Sequence, residues 1–462
     1  MRKIPFLTMI FVTVLLLAAC DKPKDSVFNV DNTDPVSVEN RVIYQLNIGA
    51  FTPEGTFKAA EMQLARLDTL GADILWLMPI YPRGETKMSP YAALDNKAVN
   101  PSYGTIDDLK SFVATAHEHG MKVWLDWVPN HVAIENPWTR EHPEYFTKNK
   151  KGKMINPHGW EDVYELNYQD TGLVNAMNTA LKFWIDQADV DGFRCDYVSS
   201  PTIPVKYWEN IITELKGYKP GKEIEFLSET DISNPENIRI DSCGFDYDYA
   251  WDFQGQLAWK FKDNDQADSL RIICDKFLNA TKQIKNRRMV YLTNHDQNYN
   301  DGGHTLEAFY GANRYALTVL EFTFTGMPLL YQGQEIGDLD TLNYFLDSKV
   351  KWEQIDYKMF NTVRSLIALH HVQPSLSSDA PVEYLRTSQP GVFAYRRGPV
   401  VVALNLSAES VQAKINGIEA GKYIQCLNSK NIARGPSSST YKFKQDPELE
   451  LEAKGYAVYV RQ

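Results

Sequence analysis

Cysteine is scarce in this chain, five residues in 462, and no two of them stand as CxxC. That argues against a zinc ribbon, a thiol-redox motif or a dense disulfide framework, and spacing leaves open whether Cys195, Cys243, Cys274 and Cys426 pair. Basic residues are in deficit, 48 Lys and Arg against 59 Asp and Glu, for a formal charge of −11. A duplex-binding surface wants the opposite balance, so no nucleic-acid partner is expected. The chain shows no internal repeat, and after residue 19 nothing is apolar enough to span a bilayer. What it does have is bulk: 44% hydrophobic, 12% aromatic and 23% charged residues, a balance that excludes disorder, collagen and coiled coil. Most of the aromatics are read as packing, with a surplus available to line a sugar-binding groove.

Residues 1–3 are Met-Arg-Lys, residues 4–19 form the apolar run IPFLTMIFVTVLLLAA, and Cys20 follows. A basic start, a short apolar run and small residues before a break make a secretory signal. The run falls short of the roughly 20 residues a spanning helix needs, which ranks a single-span anchor second. Leu17-Ala18-Ala19-Cys20 resembles a bacterial lipobox, which implies cleavage before Cys20 and thioether lipidation of its sulfur. The expectation is an exported protein, lipid-anchored at a periplasmic face or the cell surface. Residues 21–40 are polar and aperiodic and read as a tether.

From residue 41 to about 370, short β-rich runs alternate with helical stretches. The runs lie at 42–51, 72–80, 122–130, 191–198, 225–230, 244–251, 288–296 and 328–335, and most are continuously apolar, as strands buried on both faces are. Segments between them, such as FKAAEMQLARLDTLG and TIDDLKSFVATAHEHG, carry helical spacing and stop at Gly71 and Gly120. Eight alternations predict a (β/α)8 barrel over 41–375. A doubly wound open sheet is weaker, because no Gly-rich phosphate turn follows the first strand. Residues 131–175 form a long polar, aromatic insertion after the third strand, and loops of that length are usually functional. Over 376–462 the helical spacing gives way to alternating runs (VEYLRT, GVFAYRRG, VVVALNLS, YIQCLN, YAVYVRQ), which predict an antiparallel β-sandwich that shields the barrel.

Reactive groups of such a barrel belong at the C-terminal ends of its strands. The third strand ends Asp126-Trp127-Val128-Pro129-Asn130-His131, the fourth carries Gly192-Phe193-Arg194-Cys195-Asp196, the fifth ends Ser228-Glu229-Thr230 and the seventh Asn294-His295-Asp296. A single strand-end Asp is usually a cap or an ion-pair partner; four such ends in barrel order are hard to explain as structure.

This constellation resembles the α-amylase family of glycoside hydrolases. DWVPNH, GFRCD, SET and TNHD match the family's four regions in order, with 33 residues from Asp196 to Glu229 and 67 more to Asp296, and GADILWLMPI with SPYAALD resembles its second strand and tyrosine loop. The resemblance covers about residues 41–370. It implies Asp196 as nucleophile and Glu229 as general acid and then base, the carboxyl pair that glycoside cleavage requires. It implies Asp296 on the sugar's 2- and 3-hydroxyls, His131 and His295 on hydroxyls of the same subsite, and Tyr91 as a stacking face. Arg194, two residues before Asp196 on one strand face, would keep that carboxylate ionised. The apolar run before Glu229 would raise its pKa. Asp126 is read as support for this network ahead of a reacting group.

The pattern departs from the family in places. Ser199 and Ser200 stand where many members carry Lys-His, VYELN (163–167) replaces the insertion's usual signature, and Asn100 stands in VNPSYGT where Asp is common. Asn130 matches a calcium ligand of the family and Glu165 offers a second oxygen, but hard cations need six or more. No cofactor is needed for the chemistry, and structural calcium is an even choice. The expected activity is retaining, endo-acting hydrolysis of α-1,4-glucans by a monomer. A cyclomaltodextrinase or neopullulanase type of maltodextrin hydrolase comes second, with sucrose or trehalose chemistry and transglycosylation behind it. A competitor from another class is an inactive, tethered glucan-binding protein, which predicts loss of at least one of Asp196, Glu229, Asp296, Arg194 or His295; all are present.

Overall fold

The computed structural model describes residues 36–231, 235–261, 266–300, 305–376, 380–432 and 439–462. Cys20 and most of the expected tether lie outside these residues. Where the chain enters, Val38–Asn40 is already a 3-10 turn, and the buried Asn40 amide donates to the carbonyls of His370 and Gln373 at 2.7 and 3.2 Å. The tether as drawn to residue 40 therefore runs too far, because its last residues pack on the fold.

Eight parallel strands close a barrel: β1 Ile43–Leu46, β2 Ile74–Leu77, β3 Lys122–Trp127, β4 Gly192–Cys195, β5 Glu225–Ser228, β6 Tyr247–Tyr249, β7 Arg287–Val290 and β8 Met327–Tyr331, with β8 returning to β1. Each coincides with one of the eight runs expected from sequence, β7 and β8 beginning one residue earlier, at Arg287 and Met327. The open-sheet alternative is overturned by that closure.

Alternation divides every strand between two environments. On β3, Val123 and Leu125 join the large core beneath the helices, whereas Trp124 joins Ile43, Ile74, Trp76, Leu227, Tyr247 and Met289 in the barrel interior. The same side of neighbouring strands, one layer down, holds a buried ion cluster in which Arg41 and Lys122 reach Glu225 Oε1 at 2.6 and 3.1 Å. One layer up it carries the acids of the strand ends. The interior is thus packed in layers, and only its upper one is chemical.

The insertion after β3 contains a small antiparallel pair, His131–Ala133 with Val163–Glu165, which sets His131 opposite Glu165. It closes before the expected residue 175: Asp170 caps the helix Thr171–Ala188 by accepting from the Leu173 N–H at 2.9 Å. The C-terminal unit is one eight-stranded antiparallel sheet in the order 439–443, 421–428, 456–461, 400–405, 392–397, 383–387, 411–416, 448–451. It folds on itself where Glu383–Leu385 pair with one neighbour and Arg386–Thr387 with another, and so makes a sandwich. Tyr395, Val402, Leu404 and Val458 pack toward the barrel, while Val401, Ala403, Ile415 and Leu449 fill the space within the sandwich. Three of its strands, Val411–Asn416, Ser439–Phe443 and Glu448–Leu451, were not among the expected runs; the first and last alternate but bury only two side chains each, and the second is exposed along most of its length.

The turn of β4 into the barrel depends on Gly192. A Cβ there would sit 2.4 Å from the Glu225 carbonyl oxygen and 2.6 Å from the Trp124 ring, the first of which is backbone and cannot yield. Gly192→Ala is expected to cost about 3 kcal/mol, the upper end for overpacking, and to lower the thermal midpoint. Gly255→Ala, where a Cβ meets nothing within 4 Å, should not lower it. Calorimetry of the two variants checks both.

Candidate active site

Arg194 is fully buried at the top of β4 and organises the site. Its Nη1 donates to Asp126 Oδ1 and Asp196 Oδ1, both at 2.8 Å, and its Nη2 lies 3.0 Å from Glu229 Oε2. Nε donates to the Tyr249 hydroxyl at 3.1 Å, and the rings of Trp76 and Tyr249 lie 5.1 and 5.5 Å from its Cζ. Register explains the convergence: Asp126 on β3 is paired with Arg194 on β4, and the inward positions just beyond β4 and β5 are Asp196 and Glu229.

One cation thus faces three carboxyls that are buried or nearly so, and full ionisation would leave uncompensated negative charge there. Burial, opposed by Arg194, pushes Asp196 and Asp126 up to about 6. Glu229 is pushed furthest, to about 8, by burial and then by the charges of Asp196 and Asp296. The last proton therefore stays on Glu229. Its position follows from the contacts: Oε2 accepts from the Tyr197 backbone N–H at 2.7 Å and faces Arg194, so Oε1 is left to carry the proton. Asp196 spends Oδ1 on Arg194, leaving Oδ2 for chemistry.

A second chain of contacts orders the opposite wall. Gln45 Nε2 lies 2.7 Å from His295 Nδ1, His295 Nε2 lies 2.6 Å from the Tyr91 hydroxyl, and that hydroxyl donates to Asp126 Oδ2 at 3.1 Å. Burial lowers His295 to about 4, so the ring is neutral. With Nδ1 accepting from the Gln45 amide, its single proton sits on Nε2 and is donated to Tyr91. Tyr91 also stacks on His295 at 5.4 Å and 16°. Asp296 follows, with Oδ1 3.5 Å from His295 Nε2. His131 is buried, lowered to about 4 chiefly by that burial, and packs edge-on against Trp160 at 5.4 Å.

All seven residues expected at the site are therefore brought to one rim, with Asp126 as a support that binds Arg194, Tyr91 and the Trp76 indole N–H. Sequence reasoning passed over Gln45, Trp76 and Tyr249. Their signal was strand alternation: each is an inward position on β1, β2 or β6. The calcium candidates fare differently. Asn130 Oδ1 accepts from the Ser200 hydroxyl at 2.6 Å, and Ser200 in turn lies 2.9 Å from Thr202 Oγ1. Among the described residues no group of three or more His, Cys, Asp or Glu side chains is placed to hold a metal. The four cysteines at 195, 243, 274 and 426 are free and buried.

Comparison with known proteins points the same way. Residues 28–165 and 149–368 match the family model described as alpha amylase, catalytic domain. An α-amylase of Haloarcula japonica is 27% identical over 84% of this chain and 58% of its own length, and a malto-oligosyltrehalose trehalohydrolase of Saccharolobus solfataricus is 28% identical over 70% of this chain and 62% of its own. The chain thus spans about three fifths of these relatives. Crystal structures of a maltogenic α-amylase from Thermotoga neapolitana and an α-amylase from Lactobacillus plantarum superpose with TM-scores of 0.77 and 0.71, each at 25% identity, over 92% and 91% of this chain and 99% of theirs. With the barrel, the strand-end acids and the family model in agreement, the chain belongs to the α-amylase family.

Proposed function

We propose that the protein is a retaining glycoside hydrolase that cleaves α-1,4-glucosidic bonds of starch-type glucans within the chain. The observation that carries the chemistry is the pair Asp196 and Glu229 on one guanidinium, separated in proton affinity from about 6 to about 8. Between those values Asp196 is ionised and attacks the anomeric carbon through Oδ2, while Glu229 gives the Oε1 proton to the departing oxygen. The glycosyl–Asp196 ester is then hydrolysed by a water that Glu229, now ionised, deprotonates. Asp296 and His295 face the ring hydroxyls, and Asp296 favours the distorted ring of the transition state. A maltodextrin-trimming activity is the second reading, favoured by the likeness to a maltogenic enzyme along nearly the whole chain. Products from soluble starch, pullulan and maltoheptaose separate the two: mixed intermediate fragments support internal cleavage, maltose as the main product or panose from pullulan supports trimming, and no turnover sinks both.

The two proton affinities predict a bell-shaped kcat/KM profile with limbs near 6 and 8, macroscopic values of the pair. Glu229→Gln should lose about 10³-fold on maltoheptaose, within the range for a general acid, and far less on α-maltosyl fluoride, whose leaving group needs no proton. Asp196→Asn should lose both activities.

A stability consequence follows with a definite sign. The folded state holds the Glu229 proton more tightly than the unfolded chain, so raising the pH from the ordinary carboxyl range through about 8 costs stability. Glu229→Gln removes that cost. Its thermal midpoint should exceed the parent's by a margin that grows from pH 5 to 8, and equal midpoints across that range would contradict the buried-acid assignment.

For location, we propose that Cys20 carries the lipid anchor, on the strength of the sequence at 17–20. Among the described residues no helix is long and apolar enough to cross a membrane. In a bacterial host, labelled palmitate should enter the parent and leave Cys20→Ala unlabelled and outside the membrane fraction; equal partitioning would refute the anchor.

A further inference from the structure

Glu229 stands just past the end of β5, and that strand end is held differently on its two sides. Toward β4, the Glu229 N–H still donates to the Cys195 carbonyl at 3.0 Å. Toward β6, the paired register ends at Ser228 and Asp248. From there side chains take over. Thr230 Oγ1 donates to Ser228 Oγ at 2.8 Å, and Ser228 Oγ donates in turn to Asp248 Oδ1. Ser228 and Thr230 flank Glu229, and alternation turns both away from the cleft, behind the barrel wall. All three members of this chain, Thr230, Ser228 and Asp248, are buried.

Asp248 has a partner on its far side. Asp241, on the 3-10 helix Pro235–Cys243, is buried and meets it carboxyl to carboxyl. No described donor is bonded to either Asp241 oxygen. Two buried carboxyls in contact cannot both be ionised, so one proton is shared between them. Burial and the charge of Asp248 push Asp241 up to about 8, which keeps that proton in place at neutral pH. Two other groups face the pair. The Asn286 side chain stands by Asp248, and Arg288 on β7 opposes the shift, although its Nη2 is committed to Asp252 and the Tyr249 carbonyl.

We infer that Asp248 is a positioning residue for Glu229: through Ser228 and Thr230 it fixes the chain on both sides of that residue, and Asp241 fixes Asp248 in turn. Glu229 depends on such a hold. Its Oε2 faces the Tyr197 N–H and Arg194, and Oε1 is aimed at the leaving oxygen only while the backbone at 229 keeps its place. A displacement of about 1 Å in a reacting group can cost 100-fold in rate. The row behind the wall touches nothing that reacts, so it acts through Glu229.

This inference rests on the hydrolase reading, and the test separates the two. Ser228→Ala cuts the chain of hydroxyls, and Asp248→Ala removes its anchor. Asp248→Asn is the conservative variant: its amide oxygen accepts from Ser228 and its amide N–H donates to Asp241 in place of the shared proton. The two alanine variants should lose about tenfold more kcat on maltoheptaose than on α-maltosyl fluoride, whose leaving group needs no proton, with KM on maltoheptaose unchanged. The alkaline limb of kcat/KM, near 8 in the parent, should move to lower pH in both, because a loosened Glu229 gains water. Asp248→Asn should restore the substrate ratio and the limb. Ser228→Ala, the milder change, decides the matter if Asp248→Ala does not fold. Equal losses on both substrates with the limb unmoved, no loss on either, or Asp248→Asn as impaired as Asp248→Ala would overturn the positioning role alone. A parent inactive on both substrates would overturn the hydrolase reading and this inference with it.

Discussion

The site depends on one buried guanidinium. Arg194 is taken entirely out of water and compensated by Asp126, Asp196 and Glu229 together, so its charge is shared among groups that cannot all be ionised. A buried ion cluster is weak support for folding, since desolvation of its members consumes most of the attraction. Its worth lies in fixing geometry and in ordering proton affinities. Removing Asp126 would leave the guanidinium to Asp196 and Glu229 alone, and removing Arg194 would leave three carboxyls to crowd each other. Neither Asp196 nor Glu229 could keep its protonation state at neutral pH without that sharing.

The rest of the barrel is arranged so that this cluster stays where it is. Beneath it lies a layer of large interior side chains, among them Trp76, Trp124 and Tyr249, that leaves the guanidinium no room to descend. Gly192 belongs to this arrangement: its missing side chain admits the Trp124 indole, and the indole fills the barrel below Arg194. On the far side, the chain from Gln45 through His295 and Tyr91 to Asp126 fixes a tautomer as well as a position. A neutral His295 with its proton on Nε2 donates toward the cleft, which a sugar hydroxyl or Tyr91 can accept.

Much of this was legible in the sequence, for a physical reason. The eight strands are buried on both faces, and their apolar runs, such as ADILWLMPI and KVWLDWVPN, stand out against the amphipathic helices between them. Strand ends are where a barrel exposes backbone and side chains together, so Asp196, Glu229, Asp296 and His131 interrupted those runs visibly. What escaped notice had no such contrast. Gln45, Trp76 and Tyr249 sit inside apolar runs and look like packing until the inward phase of each strand is known. The strands at 411–416 and 448–451 escaped because each buries only two side chains, Ala413 and Ile415 or Leu449 and Leu451, too few to stand out. The limits at residues 40 and 175 were misplaced for a third reason: Asn40 and Asp170 act through side-chain contacts to backbone, one of them more than 300 residues away.

The insertion shows how a local departure can be absorbed without disturbing the chemistry. The Asn130 oxygen at its root accepts from the Ser200 hydroxyl, and Ser200 meets Thr202. That joint is uncharged and short. It also binds the segment after the nucleophile to the root of the insertion, the same two pieces of chain that supply Tyr197 and His158. Both residues have left-handed backbone, φ 42 and φ 53, and their rings meet edge-on at 5.3 Å. A substitution at Ser200 would loosen the segment after Asp196 and the root of the insertion together.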